Sequence, residues 1–420
     1  LIFHISLKII ILFVLFPSLV WATTPAQQLQ VSLKNIIINS TMPDVKRGMV
    51  VASPSRTNPN YYYDWLRDTS LTMRSLIDYY TVTRDKKIRA LIMDWVQSEK
   101  SRQNMPALTS LGEPKFNVDG TAFNGPWGQP QNDGPALRAL AMITWARILI
   151  REGQIDYVLK HLYHGSLPAN SVIKKDLEYT AYNWEVPSFD LWEEERGEHF
   201  YTLLSQYSAL KEGAKFAREF SDEGAAAHYD RVAKKIGAKL QSGFRDQKIG
   251  IKTTINKSKN FSSLWYKTSN IDVAPLLALL HTYPYQDLFS LKDTYVNKYL
   301  SVLTSTFKGI YSIIQTYPDL GVAIGRYPED RYDGYGTNGT GNPWFLSTLA
   351  LAEYDCLANC GVKNQIADAQ FKRVLFHVDR AGGMSEQFNR DHGFMQGAVQ
   401  LTWSHNAYLT ASQRCGLLKK

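Results

Sequence analysis

Apolar residues recur at three- and four-residue intervals along most of the chain after residue 25, the spacing of a buried helical stripe. Within 200–220, Leu203, Leu204, Tyr207 and Leu210 fall on one side, and 225–244 repeats the pattern after an Asp-Glu-Gly break. Two such helices around a short turn predict an antiparallel hairpin. The same spacing predicts helices over 66–80, 136–150, 273–281, 295–307, 344–357, 367–378 and 400–412. A weaker helix is expected over 167–182, and two more within 28–40 and 84–98. Asn132-Asp133-Gly134-Pro135 reads as a cap followed by an early proline. Strand signals are sparse, with 249–254 the clearest. About a dozen paired helices predict an all-α chain, either a closed toroid of helical hairpins or an α-solenoid. A solenoid needs a repeating sequence unit, and no fixed period is present.

Residues 1–22 follow a different pattern. Lys8 precedes an apolar run from Ile9 to Phe16, Pro17 breaks it, and Val20-Trp21-Ala22 offers a cleavage point. This is the layout of a secretory signal peptide, and the run is short for a membrane span of about 20 residues. We therefore expect 1–22 to be removed on export to the periplasm or medium. Residues 23–420 should then form one domain, because no linker or low-complexity stretch follows residue 25.

Composition adds three limits. Of the 420 residues, 44% are hydrophobic and 20% charged, as in ordinary globular proteins. The net charge of +8 comes from 47 basic and 39 acidic residues without a dense Lys/Arg tract, so no nucleic-acid partner is expected. Three cysteines exclude a disulfide scaffold. Cys356 and Cys360 share a helical face with no further ligands nearby, so buried thiols are expected rather than a metal site. A bridge to Cys415 is the alternative. Finally, 24 Tyr and 10 Trp suit a site that stacks flat amphipathic ligands such as sugar rings.

The candidate chemistry lies in loops. Segments 51–68, 109–135, 183–198, 319–343 and 381–398 are rich in Trp, Tyr, Gly, Pro, Asp and Glu. Two of them carry carboxylates beside apolar residues: Ser188-Phe189-Asp190-Leu191-Trp192-Glu193-Glu194 and Gly382-Gly383-Met384-Ser385-Glu386-Gln387. Hydrolysis of a glycosidic bond needs one protonated and one ionised carboxyl group, held about 6.5–9.5 Å apart in inverting enzymes. Trp192 beside Glu193 could disfavour the charged form of a carboxyl, and an ionised Glu194 would push the same way. The competing reading is that Glu193 and Glu194 open a helix from Glu195 and meet its N-terminal dipole.

Several motifs together resemble glycoside hydrolase family 15, the glucoamylases, in its fungal and yeast branch. They are Gly48-Met49-Val50-Val51-Ala52-Ser53-Pro54-Ser55, Tyr61-Tyr62-Tyr63-Asp64-Trp65-Leu66-Arg67-Asp68 and Leu111-Gly112-Glu113-Pro114-Lys115-Phe116-Asn117-Val118-Asp119. Trp127-Gly128, Asp133-Gly134-Pro135-Ala136-Leu137-Arg138 and Asp190 to Glu194 follow in the family's order. Gly325-Arg326-Tyr327-Pro328-Glu329-Asp330, Gly341-Asn342-Pro343-Trp344-Phe345-Leu346, Ser385-Glu386-Gln387 and Leu401-Thr402-Trp403-Ser404 complete the set. The resemblance implies an (α/α)6 barrel with a pocket built from loops at one end. It implies release of β-D-glucose from non-reducing ends of α-1,4-glucans, more slowly from α-1,6 bonds, with inversion.

By motif match, Glu193 corresponds to the general acid and Glu386 to the general base. Arg67 and Asp68 correspond to the pair that grips the terminal glucose. Arg326 and Glu194 correspond to binding residues of the first two subsites, and Leu191 and Trp192 would offer backbone carbonyls. Trp65, Trp127, Trp192 and Trp344 match pocket aromatics, with Trp127 supporting the acid. Tyr61 matches the tyrosine near the attacking water, and Asp190 an acidic neighbour of the acid. Asp119 and Asp133 are assigned only turn or cap roles, and Trp403 is assigned to the core. Arg67–Asp68 and Arg326–Asp330 could equally be structural ion pairs. No cofactor or metal is expected, because a carboxylate suffices to activate water and no His/Cys ligand cluster appears, and a monomer with an α-glucan or maltooligosaccharide partner is expected.

Two departures from the family pattern stand out. The residues to Lys420 include no starch-binding domain, and 332–340 is longer than the usual link between its flanking motifs. That link could reshape outer subsites. The alternatives are therefore the same acid/base pair on another α-glucoside, such as isomaltose-type glucan or trehalose, and a non-catalytic sugar-binding barrel.

Overall fold

The computed structural model describes residues 23–258, 267–359 and 364–418. The signal-peptide segment and Cys360 lie outside the described residues. Among the described residues, twelve helices of eight residues or more alternate between two concentric rings. The outer six are α1 (Pro25–Asn39), α3 (Lys86–Arg102), α5 (Val172–Asn183), α7 (Glu223–Gly243), α9 (Thr294–Ile310) and α11 (Gln365–His377). The inner six are α2 (Leu66–Thr83), α4 (Gly134–Arg151), α6 (Phe200–Glu219), α8 (Ala274–His281), α10 (Phe345–Ala358) and α12 (Thr402–Arg414). Each inner helix packs against the next, and α12 returns to α2, so the ring closes. This is the (α/α)6 barrel expected from the sequence, and α6 and α7 form the expected hairpin.

Position in the ring explains the sequence pattern. Inner helices α4 and α10 are buried nearly all round because they face both the barrel axis and the outer ring. Outer helices bury one stripe, as α7 does with Tyr229, Val232, Ala233, Ile236 and Leu240. Four outer helices begin on side-chain caps: Thr24 on α1, Asp85 on α3, Asp222 on α7 and Asp293 on α9. At none of the six inner helices does the N-cap side chain accept from the first turn. Those positions are Trp65, Asp133, His199, Val273, Trp344 and Leu401, and several of them serve the cavity above instead.

Some expectations need correction. The helix foreseen over 167–182 starts at Val172, because Pro168 has no N–H to donate and 163–171 is not helical. The strand foreseen over 249–254 is two short strands in different ladders, Gly250–Ile251 and Thr254–Ile255. Short helical segments at Ile155–Leu162 and Ser312–Thr316 carry too few apolar repeats to be read from sequence. No helix among the described residues is long and apolar enough to cross a membrane.

A buried ionic cluster ties three helices to the strand leading into α2. Arg138 of α4 forms a two-bond fork with Asp176 of α5, at 2.8 and 2.6 Å, and reaches Glu99 of α3 at 2.6 Å. Arg102 pairs with Glu99 and donates to Asp64 at 2.9 Å. The second oxygen of Asp64 accepts from the Val50 amide at 2.8 Å. Asp64 adjoins Trp65 and Arg67, so these charges hold that segment in place.

Cys356 of α10 is bonded to Cys415 just beyond α12, with Cα atoms 5.1 Å apart. The expected pair of buried thiols is thus replaced by the bridge considered as the alternative. It closes a loop of 59 residues, so Cys415→Ser should lower stability by about 4 kcal/mol on the chain-entropy account. Denaturant melts of the two proteins under oxidising conditions measure the difference, and reduction should abolish it.

Candidate active site

The lead-in segments of α2, α4, α6, α10 and α12 converge on a cavity of about 310 Å³. Tyr61, Trp65, Arg67, Asp68, Trp127, Leu191, Trp192, Glu193, Glu194, Arg326, Trp344 and Glu386 all line it. Helix N-termini carry partial positive charge, which suits a pocket rich in carboxylates. Trp403, at the start of α12, borders both this cavity and a smaller one of about 40 Å³.

Glu193 sits at the tip of a hairpin. Ser188–Phe189 pairs antiparallel with Arg196–His199, placing Ser188 opposite Gly197 and Phe189 opposite Arg196. The reading of Glu193 and Glu194 as a helix start is therefore wrong: the chain turns at 191–194 and continues as a strand. Glu193 has φ +67°, a left-handed conformation uncommon for a residue with a side chain. Its carbonyl packs against Gly128, where an added Cβ would lie 2.5 Å from that oxygen. Glu193 Oε1 accepts from Trp65 Nε1 at 2.7 Å and Gln131 Nε2 at 3.0 Å. The indole bonded to the Glu193 carboxyl is thus that of Trp65, not that of Trp127, whose Nε1 has no hydrogen-bond partner among the described residues.

Glu386 comes from the far end of the chain. It precedes a second hairpin, Gln387–Phe388 with Met395–Gln396, and its amide donates to Ala398 at 2.9 Å. Its Oε2 accepts from the Tyr332 hydroxyl at 3.0 Å, and Tyr332 meets Tyr61 at 3.1 Å. Gly397, at φ +75°, leaves room for this carboxylate, since a Cβ there would lie 2.3 Å from Oε2. Oε1 is buried and has no hydrogen-bond partner among the described residues. Burial pushes the Glu386 carboxyl up to about 7, against the pull of the Tyr332 and Tyr61 hydroxyls and Arg326.

The profile of glycosyl hydrolases family 15 matches residues 26–361. The chain belongs to that family. A glucoamylase of Blastobotrys adeninivorans is 33% identical over 89% of this chain and 68% of its own. A probable glucoamylase of Schizosaccharomyces pombe is 34% identical over 90% and 86% respectively. Among solved structures, the Saccharomycopsis fibuligera glucoamylase superposes with a TM-score of 0.83 at 28% identity, covering 94% of this chain and 95% of its own. The Hypocrea jecorina family 15 glucoamylase gives 0.80 at 29% identity, covering 93% and 72%. This family 15 protein is a glycoside hydrolase, and the resemblance read from its motifs holds.

The rest of the family 15 pocket divides into cations and aromatics. Arg67 donates to Gln131 at 2.9 Å and to Asp133 at 3.1 Å, and its Nε is buried without a hydrogen-bond partner. Asp68 lies 3.7 Å from Arg67, and burial raises its carboxyl to about 7 against that guanidinium. Arg326 forms a fork with Asp330 at 2.8 and 2.6 Å and also reaches Glu194 at 2.8 Å. It is therefore both a structural pair and a pocket residue. Burial likewise raises Glu194 to about 7, against the pull of Arg326. Trp192 packs with Trp344 at 5.6 Å and with Trp403 at 6.3 Å. Trp127 packs on Trp65 at 5.9 Å. Behind those two rings, Lys115 Nζ lies 3.4 Å from the Trp127 centroid, and burial lowers the amine to about 8.

Asp190 is the one predicted binding residue that the cavity does not include. It is buried behind the turn, where Oδ1 accepts from the Glu194 and Glu195 amides at 2.8 and 3.0 Å. The structure also adds residues that sequence reading missed or misassigned. Asp133 does not cap α4 but holds Arg67, and Trp403 lines the cavity. Gln131 was not foreseen, Tyr332 was foreseen only as part of the long 332–340 segment, and so was Thr337. The first two stand beside recognised motifs, and proximity to those motifs was their only signal.

Proposed function

We propose that the chain is an exo-acting, inverting glucoamylase that removes terminal α-1,4-linked glucose, and more slowly α-1,6-linked glucose, as β-D-glucose. The observation that carries this reading is the unequal bonding of two carboxyls in one cavity. Glu193 already receives two donors on Oε1, which leaves Oε2 to hold the proton for the leaving oxygen. Glu386 Oε1 has no hydrogen-bond partner among the described residues, which suits a water awaiting deprotonation. Arg67 and Asp68, which both line the cavity, would bind hydroxyls of the terminal glucose by charge-assisted bonds. Arg326, Glu194 and the backbone of Leu191 and Trp192 would bind the first sugars, with Trp65, Trp127, Trp192 and Trp344 as apolar walls.

Proton NMR of maltotetraose digestion, followed from the first minutes, tests this. Early β-glucose is expected, whereas early α-glucose would overturn the inverting assignment. A second reading, in which the same machinery prefers another α-glucoside, is favoured by Thr337, which brings the long 332–340 segment to the cavity. Comparing rates on maltose, isomaltose and trehalose separates the two. The active species is proposed to be a secreted monomer of residues 23–420 that needs no cofactor, and N-terminal sequencing of exported protein checks the cleavage.

The relay from Tyr332 to Glu386 yields a pH prediction. Its hydrogen bond favours the ionised carboxylate and so lowers the Glu386 pKa. A base must be ionised, so activity falls on the acid side as pH drops through that pKa. Tyr332→Phe removes the bond, raises the pKa, and should shift the acid limb of kcat/KM to higher pH. A limb that stays in place or moves down would contradict the assignment of Glu386 as base.

A further inference from the structure

The turn that carries Glu193 is braced from behind by a cation arriving from a distant part of the chain. Lys267 is buried, and its Nζ lies 2.9 Å from Asp272 Oδ2 and 3.6 Å from Asp190 Oδ2. Each carboxylate controls a different part of the site. Asp190 closes the turn by accepting the Glu194 and Glu195 amides, while its backbone exchanges bonds with Glu193 and Glu195. Asp272 accepts Trp192 Nε1 at 3.0 and 3.1 Å and the Ala274 amide at the start of α8 at 2.8 Å. Lys267 also lies 4.0 Å from the ring of Tyr327, whose hydroxyl donates to Glu194 at 2.7 Å.

We propose that Lys267 is a positioning residue for the acid-catalysed step: by bridging Asp190 and Asp272 it aims the Glu193 turn and holds the Trp192 ring in one arrangement. The inference deepens the reading of Glu193 as general acid and rests on it. Without the ammonium, two carboxylates lie uncompensated in a dry interior, where removing one partner of a buried pair is costly. The turn relieves this by moving, and Glu193, held in a left-handed conformation at its tip, moves with it. An acid displaced by an ångström loses much of its advantage.

The leaving group distinguishes positioning from plain stability. With maltose, water adds to C1, its proton passes to Glu386, and the C1–O bond breaks as Glu193 protonates the departing oxygen. With α-D-glucosyl fluoride, C1–F breaks and fluoride leaves with little need of that proton. Lys267→Met should lower kcat on maltose by about 30- to 100-fold but leave kcat on the fluoride within about threefold. Lys267→Arg should restore much of the loss. Equal falls on both substrates, or no fall on either, would overturn the proposal. Should Lys267→Met fail to fold, Asp272→Asn removes one charge while keeping side-chain shape, and the same selective loss is expected of it, with the same overturning results. Glu193→Gln run in parallel tests the underlying reading. If that variant spares maltose, the acid assignment fails; if it is selective while Lys267→Met is not, only the positioning role fails.

Discussion

Glu386→Gln should lower kcat on maltotetraose and on α-D-glucosyl fluoride alike, by about 10²- to 10⁴-fold, with KM nearly unchanged. Both substrates need an activated water, so the identity of the leaving group cannot compensate for a missing base. The amide keeps the size of the carboxyl and can still accept from Tyr332, so the Gly397 contact and the hairpin at 387–396 should survive. What it loses is the basicity of the free oxygen, Oε1. Steady-state rates on both substrates provide the check. Activity above a tenth of the parent on the fluoride would remove Glu386 from the role of base.

Glu193→Gln should behave differently. Its amide oxygen can still accept from Trp65 and Gln131, so the tip of the hairpin keeps its anchors. It cannot deliver a proton. On maltose, where the leaving group is a sugar alkoxide, kcat should fall by about 10²- to 10⁴-fold. On the fluoride the fall should be within about tenfold, since that leaving group needs little of the acid's contribution. A uniform loss on both substrates would mean that Glu193 acts by holding the substrate rather than by proton transfer. The contrast between the two variants is more informative than either alone, because it assigns the two carboxyls to opposite sides of the reacting bond.

Much of the scaffold was legible locally. Outer helices α1, α3, α7 and α9 were read from a single apolar stripe, and the structure adds a capping side chain at the start of each. Inner helices were found by their apolar content, and their expected starts fall within two residues of the observed ones although their N-cap positions hold residues such as Trp65, Trp344 and Leu401 rather than capping side chains. The conflict between capping and function falls where such conflicts are expected, at the site. Glu193 and Glu386 were found from motif resemblance, while composition alone left the helix-start reading of Glu193 open.

The sequence by itself determined the all-α class, the pairing of helices, the family, and the loops that would hold two carboxyls. These depend on side-chain spacing of three to four residues or on contiguous motifs, so they are readable in a short window. Only the tertiary structure decided what each site group is bonded to. Gln131 reaches Glu193 across 62 positions, Tyr332 reaches Glu386 across 54, and Trp192 reaches Asp272 across 80. It also decided that Asp190 braces a turn instead of touching the cavity, that Asp133 holds Arg67, and that Cys356 finds Cys415. The physical reason is that hydrogen bonds and ion pairs act over about 3–4 Å in space, and ring closure sets which distant residues come that close.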